Sequence, residues 1–179
     1  SLGAVGTVIP TTHASIDITG PRAPLFHFWK ETVGSGHGAL GLRPDWQAQL
    51  HAVHRDLGIK GVRFHGSFDD DVGPTVVGTY PNISYNWTGI DALYDGILAA
   101  GCTSPIVELS YMPSAIAQGS NCGQFAYKGC AELPVSWEAW YDLVHAFAQH
   151  LVQRHGLQAI KLWKWEVWNV RLHLPAMPQ

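Results

Sequence analysis

The sequence has few charged residues, few cysteines and no long hydrophobic segment. Charged side chains make up 14% of the 179 residues, and 11 Lys plus Arg against 14 Asp plus Glu give a formal charge of −3. Because there is no basic run to neutralise phosphates, we expect no nucleic-acid partner. No apolar run reaches the ~20 residues that cross a bilayer, which predicts no membrane insertion. The 46% of hydrophobic residues provide enough apolar surface for one core.

The motifs of several common enzyme classes are also absent. The sequence contains no GxSxG, HExxH or GxxxxGK[ST] pattern, which argues against the hydrolase, protease and nucleotide-binding sites that use them. There are ten histidines, and His51 and His54 share one face of a predicted helix, but no carboxylate or cysteine pattern accompanies them. We therefore expect a solvated surface at these two histidines, no metal site and no cofactor.

The three cysteines and two glycosylation sequons favour an extracellular protein. Cys122 and Cys130 flank a Gly-containing segment that can bend back to form a disulfide, whereas a metal-binding pair is usually spaced more tightly. Cys102 is either a buried thiol, the commoner outcome, or a link to another chain. Asn82 and Asn86 begin two sequons in one loop rich in Pro, Tyr and Asn. Together these features predict a secreted or cell-surface glycoprotein.

Strand-like segments alternate with amphipathic helices along a single domain, residues 1–179, without a repeat or linker. Helices with an apolar stripe and a terminal glycine are predicted over residues 44–58, 88–101 and 136–156, with Thr88 as a helix N-cap. The predicted strands are 24–29, 59–64, 105–110 and 159–169. Four such units predict an α/β fold with a parallel sheet, either doubly wound or about half of a (β/α) barrel. Because half a barrel has open edges, such a chain must close in a different way, pair with something else or continue in a further part.

Polar side chains follow the predicted strands at the edge where parallel α/β folds bind ligands. The residues that follow the four strands in turn are His37, His65 with the acidic loop 69–71, Tyr111 and Asn169. Each of them alone has a plain alternative as a loop cap, a rim aromatic or a solvated turn. Their shared position nevertheless predicts a binding site.

Tryptophans are concentrated in the predicted fourth strand. They are Trp163, Trp165 and Trp168, joined by Trp29 on the predicted first strand. Core packing is their ordinary role, and the alternative is a sugar platform, since the apolar face of a pyranose stacks on an aromatic ring. Lys164 and Glu166 alternate with these tryptophans, so we expect the two to form an ion pair on the opposite side of the strand. Glu166 is therefore expected to be structural rather than catalytic.

Five segments carry a specific pattern: 29–37 (WKETVGSGH), 43–45 (RPD), 62–71 (VRFHGSFDDD), 108–113 (ELSYMP) and 165–169 (WEVWN). In order and content, they resemble the N-terminal half of the catalytic barrel of glycoside hydrolase family 39, the β-xylosidase and α-L-iduronidase family. The resemblance covers residues from about 24 to 169. It implies a (β/α) barrel and a retaining glycosidase, in which one Glu is acid and then base and a second Glu is the nucleophile.

The resemblance also assigns sites and identifies a departure from the family. It implies sugar contacts at His37, His65 and Asn169, to which we add Trp29 and Tyr111 as expected contacts. The family's acid/base Glu directly follows this Asn, but Val170 stands there, and the family's nucleophile comes from a strand beyond residue 179. An isopropyl group cannot protonate a leaving oxygen, so no catalytic residue is predicted in this chain. Segment 170–179 departs from the family pattern.

The departure has three explanations. The protein is a non-catalytic relative, a piece of a longer chain, or a gene product misread at a splice site after Asn169. We accordingly expect an extracellular glycoside-hydrolase-like domain that is inactive as written and binds carbohydrate. The alternative is a carbohydrate-binding or structural glycoprotein in a larger extracellular assembly, with a protein partner covering the open barrel edge.

Overall fold

The computed structural model describes residues 12–169, except residues 121 and 124. The strands are β1 (Val33–His37), β2 (Val62–His65), β3 (Val76–Thr79), β4 (Asn82–Tyr85), β5 (Ile106–Glu108) and β6 (Lys164–Glu166). The helices are α1 (Pro44–Leu57), α2 (Thr88–Ala99), α3 (Trp137–His155) and α4 (Leu157–Ile160). Strands β1, β2, β5 and β6 form a parallel sheet in that order, and β3 pairs with β4 in an antiparallel hairpin. Within the described range, no helix has the length and apolarity needed to span a membrane.

The three long helices lie close to where the apolar spacing predicts them. Helix α1 ends at Gly58, which adopts a left-handed conformation with φ 71°. Ser136 caps α3, since its Oγ accepts a hydrogen bond from the backbone N–H of Ala139 at 3.1 Å. The predicted cap of α2 is wrong because Thr88 lies inside the helix. Instead, the Oδ1 atom of Asn86 accepts the N–H of Thr88 at 3.1 Å.

The predicted first strand, 24–29, is also wrong. Phe28–Glu31 is a short 3-10 helix, and the side chains of Leu25 and Phe26 are 72% and 79% exposed. The first strand of the sheet is instead β1, although its glycines are residues that ordinarily interrupt a strand. The register of β1 with β2 shifts between Gly34 and His37. Glycine suits such an irregularity. An apolar run therefore does not by itself form a strand, because a strand needs a neighbour to pair with.

Two further segments differ from the prediction. The fourth strand is shorter than predicted, since β6 covers three residues and α4 occupies residues 157–160. The loop that carries both sequons instead forms the hairpin of β3 and β4, joined by Tyr80 and Pro81. Asn82 is exposed on β4, and Asn86 directly follows that strand.

One apolar core packs the helices against one face of the sheet. Val62 and Phe64 of β2 share this core with Phe147 of α3, and all three are at most 1% exposed. Since successive side chains of a strand point to opposite faces, Arg63 and His65 lie on the face away from the helices. The sheet therefore has an apolar outer face and a polar inner face.

The tryptophans of the predicted fourth strand differ in whether they pack in this core or lie beside the predicted site. Trp163 is 4% exposed and stacks on Tyr94 with ring centroids 5.0 Å apart, which is core packing. Trp165 contacts the edge of Phe147. Trp168 lies near Tyr111, with ring centroids 6.2 Å apart. Of the three tryptophans in the predicted fourth strand, Trp168 is therefore the one beside the predicted site.

The cysteines agree with the predicted arrangement. A disulfide joins Cys122 to Cys130, and Cys102 is a free thiol with no exposed surface. Burial raises the pKa of the Cys102 thiol. A link from Cys102 to another chain, the alternative considered from the sequence, does not fit a fully buried side chain.

His54 is not the solvated residue that we expected, since its Nδ1 lies 2.7 Å from the carbonyl oxygen of Ile59.

Candidate functional site

Arg63 connects three strands on the inner face of the sheet. Its Nε and Nη2 donate to the two carboxylate oxygens of Glu166 at 2.7 and 2.8 Å, and Nη2 lies 2.9 Å from Glu108 Oε2. Nη2 also donates to Oδ1 of Asn169 at 3.0 Å. These bonds raise the pKa of Arg63 and lower the pKa of Glu166. The predicted ion pair between Lys164 and Glu166 is therefore wrong, because Glu166 reaches across the sheet to Arg63.

Glu108 lies at the centre of this group and is 1% exposed. Its Oε2 accepts a hydrogen bond from Nδ1 of His65 at 2.8 Å, and its Oε1 accepts one from the hydroxyl of Ser110. The Ser110 hydroxyl in turn accepts the N–H of Gly66 at 3.1 Å. Because a carboxylate only accepts, the hydrogen that His65 shares with Glu108 lies on Nδ1, and Nε2 is the ring nitrogen that does not contact Glu108. Glu108 thus fixes both the orientation and the tautomer of His65.

Four rings, the imidazole of His37 and the rings of Tyr127, Tyr111 and Trp168, form a second group beside the first. The His37 ring stacks on Tyr127 with centroids 4.0 Å apart and planes 9° apart. The Tyr127 hydroxyl lies 3.2 Å from that of Tyr111, which contacts Trp168 edge-on. Burial, followed by the hydrogen bond to Tyr127, raises the pKa of Tyr111, so its hydroxyl stays protonated at neutral pH. Tyr127 belongs to the loop closed by the disulfide, which brings this ring to the site.

Gly66 allows the two groups to approach each other. Its backbone has φ 77°, which favours glycine, and a Cβ at this position would lie 3.2 Å from Cδ2 of Tyr111 and 3.2 Å from Cβ of Asp69. Any larger residue would therefore push apart the strand end that carries His65 and the loop that carries Tyr111.

The acidic loop after β2 is not the uniformly solvated turn that its sequence allowed. Asp69 is 4% exposed, and burial together with the charge of Asp71 raises its pKa to about 6. Oδ2 of Asp71 lies 2.5 Å from Nε2 of His37. Asp70 has another role, since its Oδ2 accepts the N–H of Ser114 at 3.2 Å.

Four of the five predicted sugar contacts lie at the same edge of the sheet. His37, His65, Tyr111 and Asn169 all follow the carboxyl ends of parallel strands. Trp29 does not, since it precedes β1, and the neighbouring Lys30 carbonyl accepts the N–H of Lys60 ahead of β2, at the opposite end of the sheet. Val170, at the predicted acid/base position, lies outside the described residues.

Arg63, Glu108 and Tyr127 belong to the site although the sequence motifs do not predict it. Arg63 and Glu108 could have been identified from the sequence, because a charged residue within an otherwise apolar strand is costly to bury unless it is paired. Tyr127 had none, since its contact with His37 joins residues that are far apart in the chain.

Changing Glu166→Gln is expected to destabilise the fold at neutral pH and to have less effect in acid. The pKa of Glu166 lies below its ordinary value of 4.5, so its bond to Arg63 contributes stability above that pH, which is lost as the pH falls through the folded-state pKa. We expect a loss of about 1–2 kcal/mol at neutral pH. Urea unfolding followed by tryptophan fluorescence, at neutral pH and at about pH 3, measures it. Glu31→Gln, which removes the exposed pair with Lys60, is the control, and an equal loss at both pH values would contradict the assignment.

Comparison with known proteins identifies relatives of this chain. The family model described as Glycosyl hydrolases family 39 matches residues 13–173. A β-xylosidase from Caldicellulosiruptor saccharolyticus is 38% identical over 142 residues, which cover 79% of this chain and 29% of that protein. An α-L-iduronidase from Mus musculus is 26% identical over 167 residues, which cover 86% and 23% of the two proteins. The crystal structure of a monomeric β-xylosidase from Caulobacter crescentus matches with a TM-score of 0.75 at 38% identity, covering 83% of this chain and 29% of that one. The chain thus spans less than a third of the length of these relatives.

Proposed function

The chain belongs to glycosyl hydrolase family 39 and carries part of a (β/α) barrel, and on that basis we propose that it binds a glycoside at the carboxyl edge of its parallel sheet. The observation that carries this proposal is the pairing of the buried Glu108 with the half-buried Arg63, since Glu108 holds His65 and Arg63 holds Asn169. An imidazole and an amide fixed in this way offer a hydrogen-bond acceptor and donors to sugar hydroxyls without reordering on binding.

We propose that the ligand is a xyloside or a related pyranoside. Two relatives, from Caldicellulosiruptor saccharolyticus and Caulobacter crescentus, are β-xylosidases. The half-buried rings of Tyr111, Tyr127 and Trp168 supply apolar surface of the kind on which the C–H face of a pyranose packs. The hydroxyls of the sugar would then meet His65, Asn169 and His37.

We propose further that the chain as written binds without hydrolysing. Retaining glycosidases need two reactive carboxyl groups beside the scissile bond. Glu108 and Glu166 lie on the inner face, but both are held by Arg63, which suits a positioning role rather than proton transfer or attack. The position after Asn169, where the family resemblance puts the acid/base Glu, is Val170.

An extracellular location is part of the same proposal. The Cys122–Cys130 disulfide is of a type that persists in oxidising compartments. Both sequon asparagines lie at or beside the β3–β4 hairpin, and Asn82 is exposed, so a glycosyltransferase has access to it. Glycosylation of Asn82 and Asn86 stays a prediction.

A structural or purely carbohydrate-binding glycoprotein is the second candidate. The observation that favours it is the sheet edge, since within the described residues β1 pairs only with β2, and β6 only with β5. Such edges pair with further strands or with a partner protein. The two candidates differ in whether completing the barrel yields catalysis.

Direct titration tests carbohydrate binding. We expect xylobiose to quench or shift the tryptophan fluorescence of the full chain in a saturable way, and His65→Ala to weaken the affinity about tenfold by removing one hydrogen bond. His145→Ala on the exposed surface of α3 is the matched control and should leave affinity unchanged. The absence of saturable binding at tens of millimolar sugar, or equal effects of both variants, would overturn the proposal.

A further inference from the structure

We propose that His37, Asp69 and Asp71 form a binding site for a divalent cation of the zinc class. One ligand atom from each residue, an imidazole nitrogen and two carboxylate oxygens, lies within 4.8 Å of the others. The end of β1 supplies His37, and the short 3-10 turn after β2 supplies the two carboxylates. The cation site shares His37 with the proposed glycoside contacts, but cation binding can be measured without a sugar.

Asp69 is the residue that points to a ligand. It is 4% exposed, yet its Oδ2 has no hydrogen-bond partner. A buried, unpaired carboxylate oxygen is unfavourable relative to a solvated or ligated one. Among the described residues, no Lys or Arg forms an ion pair with Asp69 or Asp71, and Asp71 pairs with His37. A cation between the three side chains would satisfy the oxygen that the protein itself leaves without a partner.

The neighbouring carboxylate does not share this arrangement. Asp70 accepts the backbone N–H of Ser114 and has an intermediate exposure, so its role in the turn is already explained. The three consecutive aspartates therefore separate into two that converge on His37 and one that stabilises a backbone turn.

The donor set indicates the class of metal. Imidazole nitrogen suits zinc and other late transition metals, carboxylate oxygen suits Mn²⁺, Mg²⁺ and Ca²⁺, and affinity generally increases towards zinc. Two ligands at the usual zinc distance of ~2.1 Å lie about 3.4 Å apart in a tetrahedral site. The 2.5 Å between His37 Nε2 and Asp71 Oδ2 must therefore open by roughly 1 Å. Asp71 can make this movement, because its side chain is 33% exposed, whereas Tyr127 stacks on the His37 ring.

A site with three protein ligands leaves a fourth position open. Tyr127 and Tyr111 border this open position. Tyr127 stacks on His37, its hydroxyl lies near that of Tyr111, and Gly66 lies between the Tyr111 ring and Asp69. Water fills such a position by default, and a ligand hydroxyl can replace it.

Isothermal titration of the full chain, stripped with EDTA, with Zn²⁺, Mn²⁺ and Ca²⁺ as the free metals tests the site. We expect one zinc ion per chain, bound more tightly than Mn²⁺, with Ca²⁺ weakest. Asp69→Asn and Asp71→Asn should each weaken zinc binding at least about tenfold. Circular dichroism checks that each variant folds, and the exposed Asp71 variant decides the question if Asp69→Asn is unfolded.

Two controls keep the result specific. Asp70→Asn changes the adjacent carboxylate, and His51→Ala removes an exposed histidine, and both should retain the zinc affinity of the original chain. The proposal is overturned if zinc does not bind in a saturable way, if the Asp69 and Asp71 variants bind it unchanged, or if Asp70→Asn weakens it equally. Xylobiose binding is measured separately, so failure of the cation site and failure of the glycoside site give different results.

Discussion

Replacing Glu108→Ala is expected to lower the free energy of unfolding by about 2–4 kcal/mol, because two hydrogen-bond donors in a buried site lose their acceptor. Glu108 is 1% exposed and accepts hydrogen bonds from His65 and Ser110, besides its pairing with Arg63. Removing its carboxylate leaves His65 Nδ1 and the Ser110 hydroxyl hydrogen without an acceptor in a site that water reaches poorly, and leaves Glu166 as the remaining charged partner of Arg63. Urea unfolding at neutral pH, followed by tryptophan fluorescence, measures the loss.

Glu108→Gln separates charge from shape. The amide keeps the size and an acceptor oxygen for His65 but no longer neutralises Arg63, so we expect a smaller loss than for alanine. Glu31→Gln, which breaks the exposed pair with Lys60, should change stability little. If Glu108→Ala unfolds at the same urea concentration as the original chain, the buried network does not hold the site together. Where the Glu108 variants remain folded, their xylobiose affinity should also fall, because His65 loses its fixed orientation.

Installing an acid/base residue is expected to raise hydrolysis by about 10² to 10⁴ in a completed barrel, the usual contribution of a positioned general acid. The experiment joins residues 1–169 to the corresponding C-terminal part of the Caldicellulosiruptor saccharolyticus β-xylosidase, with either Val or Glu at position 170. The prediction follows from the family resemblance, in which the acid/base Glu directly follows the residue that corresponds to Asn169. Release of xylose from xylobiose measures the two rates.

The leaving group provides an internal control for this comparison. Nitrophenolate departs without a proton, whereas a sugar alkoxide needs one, so the Val170→Glu gain should be much smaller with a nitrophenyl xyloside than with xylobiose. Equal rates for the two chimeras on xylobiose would show that position 170 is not the acid/base position. If both chimeras are inactive while the intact Caldicellulosiruptor saccharolyticus enzyme is active, residues 1–169 do not form a competent half of the barrel. The structural glycoprotein would then be the better account.

The long helices could be predicted because their signals are local. The apolar stripe of α3 and its cap at Ser136 lie within the segment that they define. The strands were less predictable, since a strand is defined by its neighbour. The apolar segment 24–29 has no partner in the described sheet, whereas the glycine-rich β1 pairs with β2.

The candidate site could be predicted in part, because the order of the strands places some of its residues together. In a parallel sheet, residues that follow successive strands meet at one edge, and this rule located His37, His65, Tyr111 and Asn169. The same rule wrongly placed Trp29 with these four residues. The first strand begins at Val33 rather than at residue 24, so Trp29 precedes the strand and lies at the other end of the sheet.

The sequence by itself determined the family, the three long helices, the Cys122–Cys130 pairing and the edge of the sheet at which polar residues collect. Only the tertiary structure decided that Glu166 pairs with Arg63 rather than with Lys164, that Glu108 orients His65, and that the disulfide loop lays Tyr127 on His37. The physical reason is distance along the chain. Periodicity, caps and motifs depend on residues a few positions apart, whereas buried charges choose partners among all the side chains that folding brings within hydrogen-bond reach.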